Sequence, residues 1–285
     1  MINTIKNAFV TGLHHWKIVL LVYLLQLLMV IPLAMQVWHV LEASIGNSLE
    51  INKLLPGYDH TVISDFLKVH GGSITPLIGQ LRWGLLVWAI FSVFINGGVL
   101  FTLVKKTPSW MAFWTGGATY FFRFFRIALI FISLLLLWTS ITLLPYLANL
   151  QVNLETMASE KTVLVYFLII VLVWLVGFIY LTIASIVAKT TIIEQGLTTW
   201  QALKRGLGFT FRHFFKTTAI FLFFSLLQLL ALAVYWWIES RSGMVTKGLV
   251  LVFFGFQQGL VLLRLMVRMM VNAGLVELTP KDTNL

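Results

Sequence analysis

The sequence contains no cysteine, so disulfides, thiolate metal sites and cysteine nucleophiles are excluded. It is also poor in charge, since charged residues make up 11% of the chain against about 25% in soluble proteins. Hydrophobic residues make up 59% of the 285 residues, which is more than a soluble fold of this length can bury in its core. Lipid is therefore the expected solvent, and the composition predicts an integral membrane protein.

Asp and Glu are missing from every stretch that is long and apolar enough to cross a membrane, which takes about 20 residues of helix. These six stretches are 18–37, 83–104, 127–147, 163–188, 217–238 and 249–270. Proton- and cation-coupled transporters usually hold a carboxylate within the membrane, because a buried ionisable group is the coupling device. The missing carboxylates argue against a proton-driven pump but leave a passive or exchange-type transporter open.

Enzyme signatures are missing as well. The chain has no H-E-x-x-H motif, no G-x-S-x-G motif and no phosphate-binding glycine loop. All six histidines are expected at the membrane interface or in loops, which leaves no buried histidine for an intramembrane Ser–His pair. Asp59, His60, Asp65 and His70 match no standard metal site. We expect no enzymatic activity, no cofactor and no metal.

The basic residues are unevenly distributed along the chain. Most of the 20 Lys and Arg residues lie in the N-terminal arm, in 105–126, in 189–216 and in the C-terminal segment from Arg264. Most of the 10 Asp and Glu residues lie in the other connecting segments. The positive-inside rule then places both termini in the cytoplasm. This topology, together with anionic lipid headgroups, accounts for the net charge of +10, so no nucleic-acid partner is expected.

The chain has an abundance of self-similarity. Three short phrases align without gaps, each running into a long apolar stretch: HHWK at 14–17, RFFR at 123–126 and HFFK at 213–216. Upstream of the second and third phrases, SWMAF at 109–113 aligns with TWQAL at 199–203. Self-similarity at this scale predicts three copies of one structural unit, at about 1–106, 107–196 and 197–285.

Each unit is predicted to be a short interfacial helix followed by a span in, an outer loop and a span out. Ser109 and Thr199 are typical helix N-caps, and the Trp that follows each of them suits the headgroup layer. The first unit has a truncated interfacial helix and an outer loop at 38–82, in which 62–69 is expected to form an amphipathic helix between Gly57 and the pair Gly71 and Gly72. The sequence thus predicts an all-α, single-domain membrane protein: six transmembrane helices as three repeated hairpins, with interfacial amphipathic helices.

The repeated [S/T]-W-x-A-φ modules, which lead through glycines and basic-aromatic clusters into hairpins, carry a family resemblance. They resemble the membrane-anchor domain of some bacterial glycerophosphodiester phosphodiesterases, and are similar to uncharacterised six-span bacterial inner-membrane proteins. The resemblance covers the whole chain and implies a bacterial inner membrane. In the enzyme relatives the chemistry lies in a separate soluble domain, for which these 285 residues leave no room, so no catalytic residue is carried over.

Arg264 and Arg268 are the candidate site with the most specific chemistry. They lie four residues apart, on one face near the inner end of the last span, where two guanidinium groups can hold a phosphate or carboxylate headgroup. The alternative is that they extend to the cytoplasmic interface. The other candidate contacts for anionic headgroups lie at the repeated basic phrases and are Arg123, Arg126, Arg212 and Lys216.

The in-membrane amides are the candidate polar interior of the bundle. They are Asn96, Gln257 and Gln258 on the returning spans and Gln26 and Gln228 on the entering spans. They either line a polar cavity on the bundle axis or form hydrogen bonds between helices, which contribute about 0.6 kcal/mol each on average.

Two functions remain open at this point. The first is a non-enzymatic inner-membrane protein that organises lipids through their anionic headgroups, or organises a membrane-protein partner. The alternative is a passive or exchange-type transporter of a small anionic or amphipathic solute. The transporter requires a continuous polar cavity lined by Asn96, Gln258 and Arg264, whereas the organiser requires only the basic rim.

Overall fold

The structure is a computed structural model that describes residues 1–45, 60–148, 160–242 and 247–279. These ranges contain helices and short connections but no strand. The helices are α1 (Ile2–His14), α2 (Trp16–Ile45), α3 (His60–Val104), α4 (Trp110–Thr142), α5 (Leu144–Ala148), α6 (Glu160–Gln195), α7 (Thr199–Arg212), α8 (Phe214–Ser242) and α9 (Lys247–Leu278).

Six helices, α2, α3, α4, α6, α8 and α9, are long and apolar enough to cross a membrane. Their candidate spans are Trp16–Val40, Ile78–Val104, Trp110–Thr142, Lys161–Gln195, Phe214–Ser242 and Gly248–Leu278. Each span covers most or all of one of the apolar stretches found in the sequence. The predicted all-α, six-span membrane fold is confirmed.

The first hairpin differs from its prediction. Helix α2 continues to Ile45 and α3 begins at His60, so most of the expected outer loop at 38–82 is helical. Gly71 and Gly72 lie inside α3 and do not end a short helix at 62–69, because a glycine within a helix costs only about 1 kcal/mol and does not break it. At 1.5 Å per residue α3 is about 67 Å long, more than twice the hydrocarbon thickness.

The spanning helices pack as three hairpins, α2 with α3, α4 with α6 and α8 with α9. A further contact recurs at one end of each hairpin, where α1 packs on α9, the N-terminal half of α4 packs on α3, and α7 packs on α6. The segments predicted to be interfacial helices are separate elements in the predicted first and last units, as α1 and α7. In the middle unit the interfacial segment is continuous with the span in a single helix, α4.

Glycine allows the close approach of α7 to α6. A Cβ atom added at Gly206 would lie 2.7 Å from the carbonyl oxygen of Ala184 and 2.8 Å from the Cβ of Ala188. Only hydrogen at this position leaves room for the two backbones. The glycine in the repeated module is therefore a packing residue here, not a hinge.

The helix N-caps were only partly predicted. Ser109 caps α4 as expected, because its side chain accepts a hydrogen bond of 3.1 Å from the amide of Ala112. The prediction for α7 was wrong by one residue. Thr198, not Thr199, is the N-cap, and its backbone N–H and hydroxyl both donate to Gln201 Oε1, at 3.2 and 2.9 Å.

Buried side chains are concentrated at one end of the bundle, where α3, α6 and α9 finish and α4 and α8 begin. We call this the basic end, because Lys105, Arg123, Lys204 and Lys216 lie there. The core residues of α2, for example, fall between Ile18 and Val22. Toward the opposite end the described side chains are mostly exposed, so the helices pack tightly at the basic end and loosely beyond it.

Candidate anion-binding cavity

A cavity of about 790 Å³ lies between the spanning helices, and all six of them contribute to its wall. On α9 the lining residues run from Val261 to Asn272, and on α3 from Trp88 to Leu100. At 1.5 Å per residue these segments are about 16 to 18 Å long. The cavity therefore reaches from the tightly packed region near the basic end to about the middle of the bundle.

The charged side chains that line this cavity are all cationic. Lys189 comes from α6, and Arg264 and Arg268 come from α9. Arg268 is close enough to both of the others for their charges to repel one another. No Asp or Glu is among the residues that line the cavity. Like charges inside a low-dielectric region raise the free energy of the protein unless an anion neutralises them.

One of the three cations is held in place by a neutral side chain. Arg268 Nη2 donates a hydrogen bond of 2.8 Å to Asn96 Oδ1, which joins α9 to α3 across the cavity wall. Arg264 and Lys189 make no hydrogen bond or ion pair within the part of the chain that the structure describes. Arg264 and Lys189 thus line the cavity without a hydrogen-bonding partner among the described residues.

Neutral polar side chains add hydrogen-bonding capacity around the cations. Ser185 and Asn272 also line the cavity, each four residues away from a cation, Lys189 and Arg268 respectively. Asn272 is only 4% exposed. Both are absent from the sequence prediction, although each falls on the helical face that its cation occupies, at i−4 from Lys189 and i+4 from Arg268.

The predicted polar interior is partly present. Asn96, Gln26 and Gln228 line the cavity as expected. Gln257 and Gln258 do not line it, so the lining that the transporter requires is present at Asn96 and Arg264 but not at Gln258. Gln257 Nε2 donates to Tyr235 Oη at 2.9 Å, and Gln258 Oε1 accepts from Tyr23 Oη at 2.9 Å. These two amides join α9 to α8 and α2, so they form hydrogen bonds between helices, the second of the two alternatives given for them.

The other predicted headgroup contacts lie outside the cavity. Arg123, Arg126, Arg212 and Lys216 are all exposed at the basic end, and none of them lines the cavity. They form a cationic rim that faces away from the bundle interior.

Lys189 is the residue that sequence reasoning missed. It was counted as a cation of the connecting segment 189–216, because the apolar run was taken to end at residue 188. Helix α6 instead continues to Gln195, with Thr190, Thr191 and Ile192 buried after the lysine. The signal was the apolar pair Ile192-Ile193, which shows that the buried face of the helix extends beyond the charge.

A packed layer separates the cavity from the basic end. The lining residues stop at Leu100, Lys189 and Asn272, and the residues one turn further on each helix are buried. His15 belongs to this layer. It lies in the short connection between α1 and α2, as expected, but it is only 2% exposed, so the expectation that no histidine is buried is wrong. Its Nδ1 lies 2.8 Å from the Thr11 carbonyl oxygen and its Nε2 lies 3.4 Å from that of Thr102.

A second, shallower groove of about 460 Å³ lies on the outside of the bundle between α1, α2, α8 and α9. Its wall includes Leu13, Leu20, Leu262 and Met266, and no charged side chain lines it. The groove is therefore suited to acyl chains but has no group that selects a charged ligand.

No group of three metal-binding side chains occurs in the described ranges. Of the acidic and histidine residues considered in the outer loop, Asp59 and the side chains of Asp65 and His70 lie outside the described residues. Comparison with known proteins adds no assignment, since no family model, curated protein or solved structure matches the chain.

Proposed function

We propose that this chain is a non-enzymatic membrane protein that binds a small anionic or amphipathic solute in its central cavity and carries it in a passive or exchange-type transport cycle. The observation that carries the proposal is the cluster of Lys189, Arg264 and Arg268 without an acidic residue among the lining side chains. An anionic solute supplies the charge that the wall lacks.

A bound anion neutralises the cations of the cavity wall. Two of the three cations have no partner of their own among the described residues, so a bound anion forms charge-assisted hydrogen bonds without first breaking an ion pair. An internal carboxylate would compete for the same cations and weaken the site. The lining therefore favours occupancy by an anion over a closed ion-pair network.

A second function, the organisation of lipids, is supported by a separate observation at the rim. Lys17 lies 5.9 Å from the Trp16 ring and Lys204 lies 5.7 Å from the Trp200 ring, and both tryptophans are exposed. Cation–aromatic pairs at this level suit anionic headgroups. The rim also offers a surface for a membrane-protein partner. We rank this function second because exposed basic rims are common, whereas a cationic cavity is not.

The location follows from the charge distribution and the resemblance. We propose a bacterial inner membrane with both termini in the cytoplasm, which places the basic end and its packed layer on the cytoplasmic side. An internal repeat of three units is part of the same proposal. The corresponding contacts of α1 with α9, of α4 with α3 and of α7 with α6 support it, as does the similarity to the phosphodiesterase membrane anchor noted above.

The experiment is anion binding and exchange by the purified full chain. Thermal unfolding is measured with inorganic phosphate, oleate and oleoyl lysophosphatidate, and radiolabelled forms of any anion that binds are then followed in proteoliposomes. We expect one of these anions to raise the melting temperature and to exchange across the membrane. The double variant Lys189→Gln/Arg264→Gln loses both effects, while the rim variant Arg123→Gln/Arg126→Gln keeps them. Failure of all three anions to bind overturns the proposal.

A further inference from the structure

We infer that the ligand of the central cavity is a phosphate-bearing membrane amphiphile. Its headgroup lies against Lys189, Arg264 and Arg268, and its acyl chain occupies the rest of the cavity. The inference rests on the proposed function and narrows it from any anion to one chemical class.

The number and kind of cations favour a phosphate over a carboxylate. A carboxylate carries one negative charge and leaves two of the three cations unneutralised. A phosphate monoester carries about −1.5 to −2 charges at pH 7 and presents three acceptor oxygens. Arg264 offers a planar fork with five N–H donors that matches phosphate oxygens, and Lys189 adds a compact charge from the facing helix.

The wall changes character along the cavity. Lys189, Arg268, Asn96 and Asn272 line the part near the basic end, and Arg264 lies one turn further along α9, about 5 Å from Val261. Further from that end the wall is mostly apolar and includes Val30, Trp88, Leu135 and Val261, with Gln26, Ser225 and Gln228 as polar side chains. A small hydrated anion gains nothing from this apolar part, whereas an acyl chain buries against it at about 25 cal/mol per Å².

The space beyond the cations accommodates most of an acyl chain. The lining segments from Arg268 to Val261 on α9 and from Asn96 to Trp88 on α3 are about 10 to 12 Å long, against about 15 Å for half of the hydrocarbon core. A lipid with its headgroup at Arg268 and Lys189 thus buries most of a leaflet-length chain in the cavity.

Loose packing away from the basic end offers such a ligand a route from the membrane. In that half of the bundle Val30, Trp88 and Ile132 line the cavity and are themselves exposed, at 55%, 43% and 53%. At the basic end the buried layer that includes Thr102 and Leu275 closes the water-facing route. An amphiphile enters sideways from lipid, whereas a soluble anion has to cross either the packed layer or the apolar half.

The external groove provides a matched control for the acyl-chain site. Met266 lines this groove, is partly exposed and does not line the central cavity. Leu135 lines the central cavity and is also partly exposed. Replacing each with Trp adds similar bulk to two sites of which only one holds the proposed ligand.

The test measures binding to the delipidated full chain in dodecyl maltoside with four probes. These are oleoyl lysophosphatidate, oleoyl lysophosphatidylcholine, oleate and inorganic phosphate. We expect lysophosphatidate to bind at one site, at least ~10-fold tighter than each of the other three. Oleate and lysophosphatidylcholine lose charge-assisted contacts, and inorganic phosphate loses the burial of the acyl chain. Leu135→Trp weakens lysophosphatidate binding about tenfold without changing phosphate binding, and Met266→Trp changes neither.

Arg264→Lys keeps the charge and removes the planar fork, so it serves where the double Gln variant fails to fold. It is expected to reduce the preference for lysophosphatidate over oleate. Inorganic phosphate binding as tightly as lysophosphatidate overturns the amphiphile inference and leaves the proposed function standing. Oleate binding as tightly overturns the phosphate assignment alone. If none of the four binds, the inference and the proposed function both fail.

Discussion

Arg268 and Asn96 form a hydrogen bond of 2.8 Å between α9 and α3, at the wall of a cavity that has no acidic residue among its lining side chains. The amide fixes the position of one guanidinium without neutralising it. Arg264, one turn earlier on the same helix, makes no such bond within the described ranges. The two arginines therefore differ in role: Arg268 is held in position by the protein, and Arg264 is available to a ligand.

Asn96→Asp is predicted to stabilise the empty protein and to weaken anion binding. The new carboxylate forms an ion pair with Arg268 where the amide oxygen now accepts, so the cluster gains an internal counter-ion. We expect a higher melting temperature without ligand, and an affinity for the bound anion lower by at least ~10-fold, or about 1.4 kcal/mol. Thermal unfolding and anion titration on the same preparation measure both changes.

Asn96→Leu is the control, because it removes the hydrogen bond without adding charge. Losing a hydrogen bond to a charged group costs about 1.5–3 kcal/mol, so the melting temperature should fall. If the Asp and Leu variants change stability in the same direction, the amide does not position Arg268 in the way described.

Gly206→Val is predicted to destabilise the contact between α7 and α6. The Cβ alone would lie 2.7 Å from the Ala184 carbonyl oxygen, and overpacking of this kind typically costs 1–3 kcal/mol. A lower melting temperature, with faster proteolysis of α7, is the expected result.

Gly208 offers a matched control two residues away on the same helix, since a Cβ there meets nothing within 4 Å. Gly208→Ala should stabilise the protein slightly, by about 0.4–1 kcal/mol, because it lowers the entropy of the unfolded chain. A stability loss in Gly208→Ala as large as in Gly206→Val would mean that α7 is not seated on α6 in this register.

Variants of Gln258 on α9 and Gln228 on α8 are predicted to distinguish an amide that bonds between helices from one that lines the cavity. Gln258→Leu removes the 2.9 Å bond from Tyr23 and should cost about 0.6 kcal/mol of stability, with anion binding unchanged. Gln228→Leu changes a lining side chain and should alter binding of an acyl-chain ligand more than it alters stability. The reverse pattern would contradict the assignment of these two residues.

Hydropathy was sufficient to predict the six spans, because a span needs only a run of apolar residues. It was not sufficient to predict which polar residues face the cavity. Gln257 and Gln258 are adjacent to one another and equally polar, and only the positions of Tyr235 and Tyr23 on other helices decide their partners. Likewise the sequence predicted that a short helix ends before Gly71 and Gly72, whereas α3 continues through both.

The position of the charged residue Lys189 was equally hard to predict from the sequence. A lysine at the end of an apolar run indicates a membrane boundary by composition alone. Its position in the cavity depends on the buried continuation of α6 and on the arginines of α9, which no local pattern of the sequence contains.

The membrane orientation is predicted to place α7 in the cytoplasm and the far end of α8 outside it. The chain has no native cysteine, so a single introduced cysteine is the only thiol. Lys204 on α7 and Ser240 at the end of α8 are both exposed and lie at opposite ends of the bundle. In bacterial spheroplasts a membrane-impermeant maleimide should label Ser240→Cys at once, and label Lys204→Cys only after the membrane is opened.

The reverse labelling pattern would contradict the positive-inside orientation. It would also change the leaflet in which the proposed headgroup site lies. With the basic end outside, the packed layer that includes Thr102 and Leu275 would close the external face, and the proposed headgroup site would lie in the outer leaflet. With the basic end inside, the same cations lie at the depth of the cytoplasmic leaflet, where anionic lipids are abundant. The labelling result therefore decides from which leaflet a membrane amphiphile reaches Arg264.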